Sequence, residues 1–163
     1  MDWLKLPEQQ VDIAAAPVSR ADYARFAQET RSPIPPRSGA PTSPVTRVSA
    51  EEAGAFAAWL SQHDGYRYRL PTLNDILTLA ERADKGESPE NMPLDLQQTV
   101  VAGDPRPLSE WLQCVPDHGD GRNSLRCVAN PSWLRRNGGA SVRGALSEGR
   151  YSFVTFRVVR AKG

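Results

Sequence analysis

The sequence is poor in the residues that carry redox or metal chemistry. It has two cysteines, Cys114 and Cys127, and two histidines, His63 and His118. The cysteine spacing fits neither a C-x-x-C pair nor a zinc framework. A tetrahedral zinc site from these four side chains is disfavoured. An excess of one charge is also missing. The formal net charge is +1, so nothing calls for nucleic acid or an anionic membrane as a partner. No apolar run approaches the roughly 20 residues that span a bilayer. The opening MDWLKLPEQQ lacks the basic start and apolar stretch of a signal peptide. The expectation is a cytoplasmic chain without membrane insertion, unless it is cut from a longer exported or membrane-anchored protein.

What is present suits one soluble domain. The chain has 163 residues, 39% hydrophobic and 24% charged, enough to bury a sizeable core. Five of its fourteen prolines lie in SPIPPRSGAPTSP, residues 32 to 44. Proline removes a backbone donor and restricts the residue before it, so this stretch reads as an irregular surface connection. A Pro-rich ligand for an SH3-like partner is the sharper alternative.

Three helix starts share one chemistry. Ser19 is followed three residues later by Asp22, Ser49 by Glu52 and Thr72 by Asp75. Each pair can satisfy backbone N–H groups that a first turn leaves open. Val18 is placed to staple to Tyr23. Ala53, Phe56, Ala57 and Leu60 follow helical spacing, as do Leu73, Ile76, Leu77 and Ala80. Gly65 reads as the C-cap of the second helix. The stretch 66–70, YRYRL, alternates like a strand, and Pro71 ends it.

Later signals are weaker. A short strand candidate lies at 99–102, a strand or short turn of helix at 108–115 and a strand broken by Pro131 at 125–135, with a loop at 117–124 and a turn at 136–144. YSFVTFRVVR, residues 151 to 160, reads as the strongest strand. Helices precede strands, which predicts an α+β fold with a mostly antiparallel sheet.

Several segments, in order, resemble one family. PVSRADYARF is similar to the "VTNAQYARF" signature of formylglycine-generating-enzyme-like, or sulfatase-modifying-factor, domains. PVTRVSAEEAGAFAAWLSQHDGYRYRLPT resembles their "PVVNVSWEDAQAFCRWLSEKTGKRYRLPT". LSEWLQC resembles "VWEWTAD", ANPSWLR stands where they have "RGGSW", and TFRVVRA resembles "GFRLVR". The matching positions include Arg69, Leu70, Pro71 and Thr72 in the central block. Glu110, Trp111, Trp133, Phe156 and Arg157 match in the later blocks. The resemblance implies a C-type-lectin-like fold: two to three helices packed on a small twisted antiparallel sheet with much irregular loop. It implies a single domain over residues 17–163, with 1–16 as an N-terminal extension that lacks the family's opening strand motif. It also implies that Trp59, Trp111 and Trp133 are core residues and that Arg157 makes a structural contact. Arg67, Arg69, Arg135, Arg136, Arg143 and Arg150 read as solvated.

Catalytic relatives oxidise a sulfatase cysteine with copper held by two cysteines before the final block. The equivalent interval here, residues 134–155, contains no cysteine. Copper(I) needs soft ligands, so no catalytic residue and no redox cofactor is assigned. The iron-dependent sulfoxide branch needs a His-rich motif in an extra domain, which residues 1–16 do not supply. Asp117, Asp120 and Asn123 in DHGDGRN form a weak calcium candidate, since relatives often hold structural calcium, but the spacing is not that of an EF-hand. A plain loop is the alternative reading. Cys114 and Cys127 read as small apolar side chains on neighbouring strands, with a disulfide as the alternative in an exported protein. His63 reads as solvated.

The functional expectation is a non-catalytic binding or regulatory module of bacterial type whose partner is another protein. Degenerate relatives accompany Ser/Thr kinases or type VI secretion. The expected binding surface is the loops at 85–107, 116–124 and 135–150. The alternatives are an oxidoreductase of the formylglycine-generating type, and a lectin-type or retroelement-diversified ligand receptor.

Overall fold

The computed structural model describes residues 1–36, 40–84, 108–113, 125–130 and 142–162. Its helices begin where the sequence places caps. Helix α1 is Arg20–Thr30, and the Ser19 hydroxyl accepts the Asp22 N–H at 3.1 Å. Helix α2 is Ala50–Ser61, where Ser49 and Glu52 bond each other's backbone N–H at 3.1 and 3.0 Å. Helix α3 is Leu73–Asp84, and Thr72 and Asp75 repeat the exchange at 3.2 and 2.8 Å. The boxes at α2 and α3 each close two open donors, and the Ser19 cap at α1 closes one.

One cap differs from the expectation. Helix α2 ends at Gln62, with an ordinary φ of −84°. Gly65 lies three residues further on, in the turn to the next strand, where its φ of +79° suits a residue without Cβ.

The strands are β1 (Trp3–Leu6), β2 (Val11–Ala14), β3 (Tyr66–Arg69), β4 (Ser109–Trp111), β5 (Leu125–Ala129), β6 (Arg143–Leu146), β7 (Val154–Thr155) and β8 (Val159–Lys162). Among the described residues they form two four-stranded sheets. The first, β1-β2-β8-β3, is antiparallel throughout. The second, β6-β5-β4-β7, is antiparallel except for the parallel pair β4–β7. The class is α+β, as expected, with two small sheets in place of one.

Three details correct the sequence reading. No strand is expected before Pro17, yet β1 and β2 form a hairpin that pairs with β8. Residues 151–160 are not one strand. They split into β7 in one sheet and β8 in the other, with 156–158 crossing between them. The reading of 136–144 as a turn overlaps β6, which begins at Arg143 and pairs with β5. The candidate strand at 99–102 lies outside the described residues. The Pro-rich stretch is irregular where described.

Two cores result. The first joins α1 and α2 through Tyr23, Phe26 and Phe56, closed by Phe156 and Trp111. Phe56 stacks near Tyr23 at 5.9 Å and meets Phe156 edge-on at 5.5 Å. Such pairs add about 0.5–1.5 kcal/mol each beyond area burial. The second core lies between the first sheet and α3, where Leu6, Ile13 and Val159 meet Ile76 and Leu79. Trp111 is fully buried and donates its indole N–H to the Val48 carbonyl at 3.0 Å. Trp59 is only half-buried, at the margin of the first core, and Trp133 lies outside the described residues.

The first sheet has two unlike faces. Opposed residues on neighbouring strands share a face. Leu4, Ile13 and Val159 are opposed in turn and face the second core. Lys5, Asp12, Arg160 and Tyr68 are opposed in turn on the other face.

Candidate functional site

The family-motif residues are brought together as structural joints. Arg69 ends β3 and bonds the Asp75 carboxylate at 2.7 Å. Asp75 is buried and also accepts the Thr72 N–H. Leu70 is buried, and the Pro71 carbonyl accepts the Gln113 N–H at 2.9 Å, which ties the strand end to the segment after β4. The reading of Arg69 as solvated is therefore corrected: its side chain is 34% exposed and paired. Arg150 is exposed as expected, and it also bonds Glu52 at 2.8 Å. That bond, with the Glu52 charge, holds its pKa above the ordinary value. Arg67 and Arg143 are exposed as expected, and Arg135 and Arg136 lie outside the described residues.

Arg157 makes the contact expected of it. It sits between β7 and β8 with no solvent exposure, and it grips Glu110 with two bonds of 2.6 and 2.9 Å. The third guanidinium nitrogen, Nη1, donates to the carbonyls of Ala14 and Ala15. Phe156 beside it fills the first core. Arg157 thereby links β4 of the second sheet to the end of β2 in the first.

A copper pair of the family type does not fit this chain. Residues 134–155 contain no cysteine, methionine or histidine. Cys127, on β5, is buried in the second core beside apolar side chains. Cys114, His118 and the calcium candidates Asp117, Asp120 and Asn123 lie outside the described residues, as do the loops 85–107 and 116–124. Among the described residues no three His, Cys, Asp or Glu side chains converge on one point. His63 is half-exposed at the end of α2, with its ring on Trp59 and 3.7 Å from Glu29.

The open surface lies elsewhere. A cleft of about 280 Å³ runs between α1, the end of α2 and the first sheet, lined by Trp3, Trp59, His63 and Tyr68. A larger one, of about 900 Å³, lies at the end of the first sheet, lined by Lys5, Gln9, Tyr66, Arg67, Arg160 and Lys162. Between the two clefts stands Arg160. Its guanidinium lies 4.2 Å from the Trp3 ring centre and 4.3 Å from that of Tyr66, and it bonds Asp12 at 3.2 Å. Burial acts to lower the Arg160 pKa, but bonds to Tyr68 and Asp12 outweigh it and hold the group above its ordinary value. Sequence reasoning missed this surface. Trp3-x-Lys5 and Arg160-x-Lys162 alternate as outward strand residues should, but strands of four residues give a weak signal.

Comparison with known proteins agrees with this architecture. The structure of PvdO from Pseudomonas aeruginosa superposes with a TM-score of 0.68 and 18% identity, covering 93% of this chain and 80% of that one. The crystal structure of CarF superposes with a TM-score of 0.67 and 20% identity, covering 93% of this chain and 86% of that one. At such identity these likenesses speak to the fold, which is the C-type-lectin-like arrangement of formylglycine-generating-enzyme-like proteins. No curated protein matches the chain. No helix among the described residues is long and apolar enough to cross a membrane. The profile of one family matches residues 7–130, most of the chain, and its first residues fall at the β1–β2 turn. The chain belongs to the sulfatase-modifying factor enzyme 1-like domain family.

Proposed function

We propose that this chain is a non-catalytic binding or regulatory module that engages another protein. One observation carries the reading. The interval in which catalytic relatives hold their copper thiolates has no sulfur and no imidazole, and Cys127 is turned into an apolar core. Oxidation of a substrate cysteine by that route needs soft ligands on an open surface. The motif residues that remain are the ones that hold the scaffold, namely Arg69, Thr72, Glu110, Trp111 and Arg157. A scaffold kept while a metal set is missing suits a binding role. No cofactor belongs to this reading. A bacterial setting beside a Ser/Thr kinase or a type VI secretion system is part of the same proposal.

The test is an assay of the chain with copper(I), oxygen and a peptide carrying a sulfatase-type cysteine. Mass spectrometry follows conversion of thiol to aldehyde, and a competition titration follows copper. The expected result is no conversion and no tight stoichiometric copper. Turnover of the peptide overturns the proposal.

A further inference from the structure

We propose that the cleft at the end of the first sheet docks an acidic polypeptide segment of a partner protein. This deepens the reading of the chain as a protein-binding module and rests on it. The cleft, about 900 Å³, is walled by the β1–β2 turn, the start of β3 and the end of β8. Four cations line it: Lys5, Arg67, Arg160 and Lys162. Only Asp12 among the lining residues opposes them, and Asp12 is held by Arg160 at 3.2 Å. Lys5, Arg67 and Lys162 are exposed, and the described residues offer none of them an ion pair. On a chain whose formal net charge is +1, three uncompensated cations at one sheet end create a local positive field that the whole molecule lacks.

The shape and lining favour a peptide over a nucleic acid. Pro7 and Ala161 add apolar surface to the lining beside Gln9 and Gln10, while Leu6 and Val11 behind them are buried. Peptide side chains can use such a mixed wall. A single nucleic-acid strand needs free aromatic faces on which to stack bases. Here the rings of Trp3 and Tyr66 already carry the Arg160 guanidinium. That stack also fixes the guanidinium in place, so little side-chain entropy remains to be lost when an anion arrives.

Strand addition is not the mode. On the β3 side the Tyr68 N–H is taken by the Ser61 hydroxyl and the Tyr66 N–H by Asp64. On the β1 side the Lys5 carbonyl is taken by Arg82. The peptide is held by charge and side-chain contact in the cleft.

The test uses a fluorescein-labelled deca-glutamate peptide and fluorescence anisotropy at low salt. The expected result is saturable binding that weakens as salt rises. The triple variant K5E/R67E/K162E, shown folded by circular dichroism, is expected to lose affinity at least about tenfold, since three charges reverse at one site. The control R143E, an exposed cation on β6, is expected to stay within about twofold, because it lies on the other sheet. Three outcomes overturn the proposal: no binding of deca-glutamate, equal loss in R143E, or tighter binding of labelled oligo-thymidine than of the peptide. Copper-dependent turnover in the earlier assay sinks the binding-module reading by itself. Failure of deca-glutamate with no turnover leaves that reading standing with its partner at another surface.

Discussion

Arg157 and Glu110 face each other at 2.6 and 2.9 Å with neither side chain exposed to solvent. Arg157 leaves β7 at the point where the chain crosses to the first sheet, and Glu110 is on β4 of the second. The same guanidinium binds the carbonyls of Ala14 and Ala15 at the end of β2. One side chain thus ties both sheets and the hairpin. A buried ion pair gains little over apolar packing, but losing one partner strands the other charge.

The R157M variant should therefore lose about 3–5 kcal/mol of stability. It leaves Glu110 charged in a dry site and two carbonyls short of a donor. The double variant R157M/E110M should be less destabilised than the sum of the single changes. Urea unfolding of the four proteins measures this. Strict additivity of the two losses would show that the pair does not act as a unit.

Much of this scaffold is legible in the sequence, and the reason is local chemistry. Ser19, Ser49 and Thr72 announce their helices because a cap acts within three residues of itself. The class of fold follows from those helices and from the alternation at 66–69. The surface at the sheet end is not legible. Lys5 on β1, Arg67 on β3 and the pair Arg160 and Lys162 on β8 come from three parts of the chain and meet only when the first sheet assembles. The break between β7 and β8 is hidden for a related reason. Val154 to Val159 has strand composition throughout, and the crossing falls where Arg157 meets Glu110, a partner 47 residues away in the chain.

Tyr68 and Tyr23 make the fold sensitive to alkali. Burial, then a hydrogen bond donated to Asp64, pushes the Tyr68 hydroxyl up to about 12. Burial, then the nearby charge of Glu52, pushes Tyr23 higher still. An unfolded tyrosine titrates near pH 10, at about the reference value. Both groups therefore contribute stability that is complete below pH 10 and is lost as pH rises through the folded values. Urea midpoints between pH 8 and pH 11.5 should fall above about pH 10. The Tyr23 hydroxyl is buried and finds no hydrogen-bond partner among the described residues, so Y23F should cost little at pH 8 and flatten the alkaline decline. An unchanged slope in Y23F would place the lability elsewhere.

At the start of α3, T72A should cost about 1 kcal/mol, the usual worth of a cap. D75A should cost more. It removes the Thr72 N–H acceptor and the bond from Arg69, and leaves a hole where Asp75 was 1% exposed. The loss stays modest, about 1–3 kcal/mol, because Arg69 is one-third exposed and can return to water. Thermal unfolding of both variants orders them. A larger loss in T72A than in D75A contradicts this account.

Gly149 is a tighter position than its exposure suggests. A Cβ placed there meets the ring of Tyr151 at 2.5 Å and its hydroxyl at 2.6 Å. Tyr151 cannot simply swing away. Its ring lies 5.4 Å from that of Phe153 and 6.2 Å from that of Trp111 and packs against the first core. The G149A variant should therefore lose about 1–3 kcal/mol, the usual range for overpacking. The clash has one identifiable partner, so a cycle with Y151A decides the cause. If the ring is what resists, G149A should cost almost nothing in the Y151A background. A full cost in both backgrounds would locate the strain in the turn that Gly149 closes by donating to the Leu146 carbonyl. The result also bears on function, because Gly149 lies in the interval where catalytic relatives carry thiolates. A cysteine introduced there meets the same ring. G149C should be destabilised to a similar extent and should gain no tight copper(I) site, because a single thiolate has no soft partner within that interval.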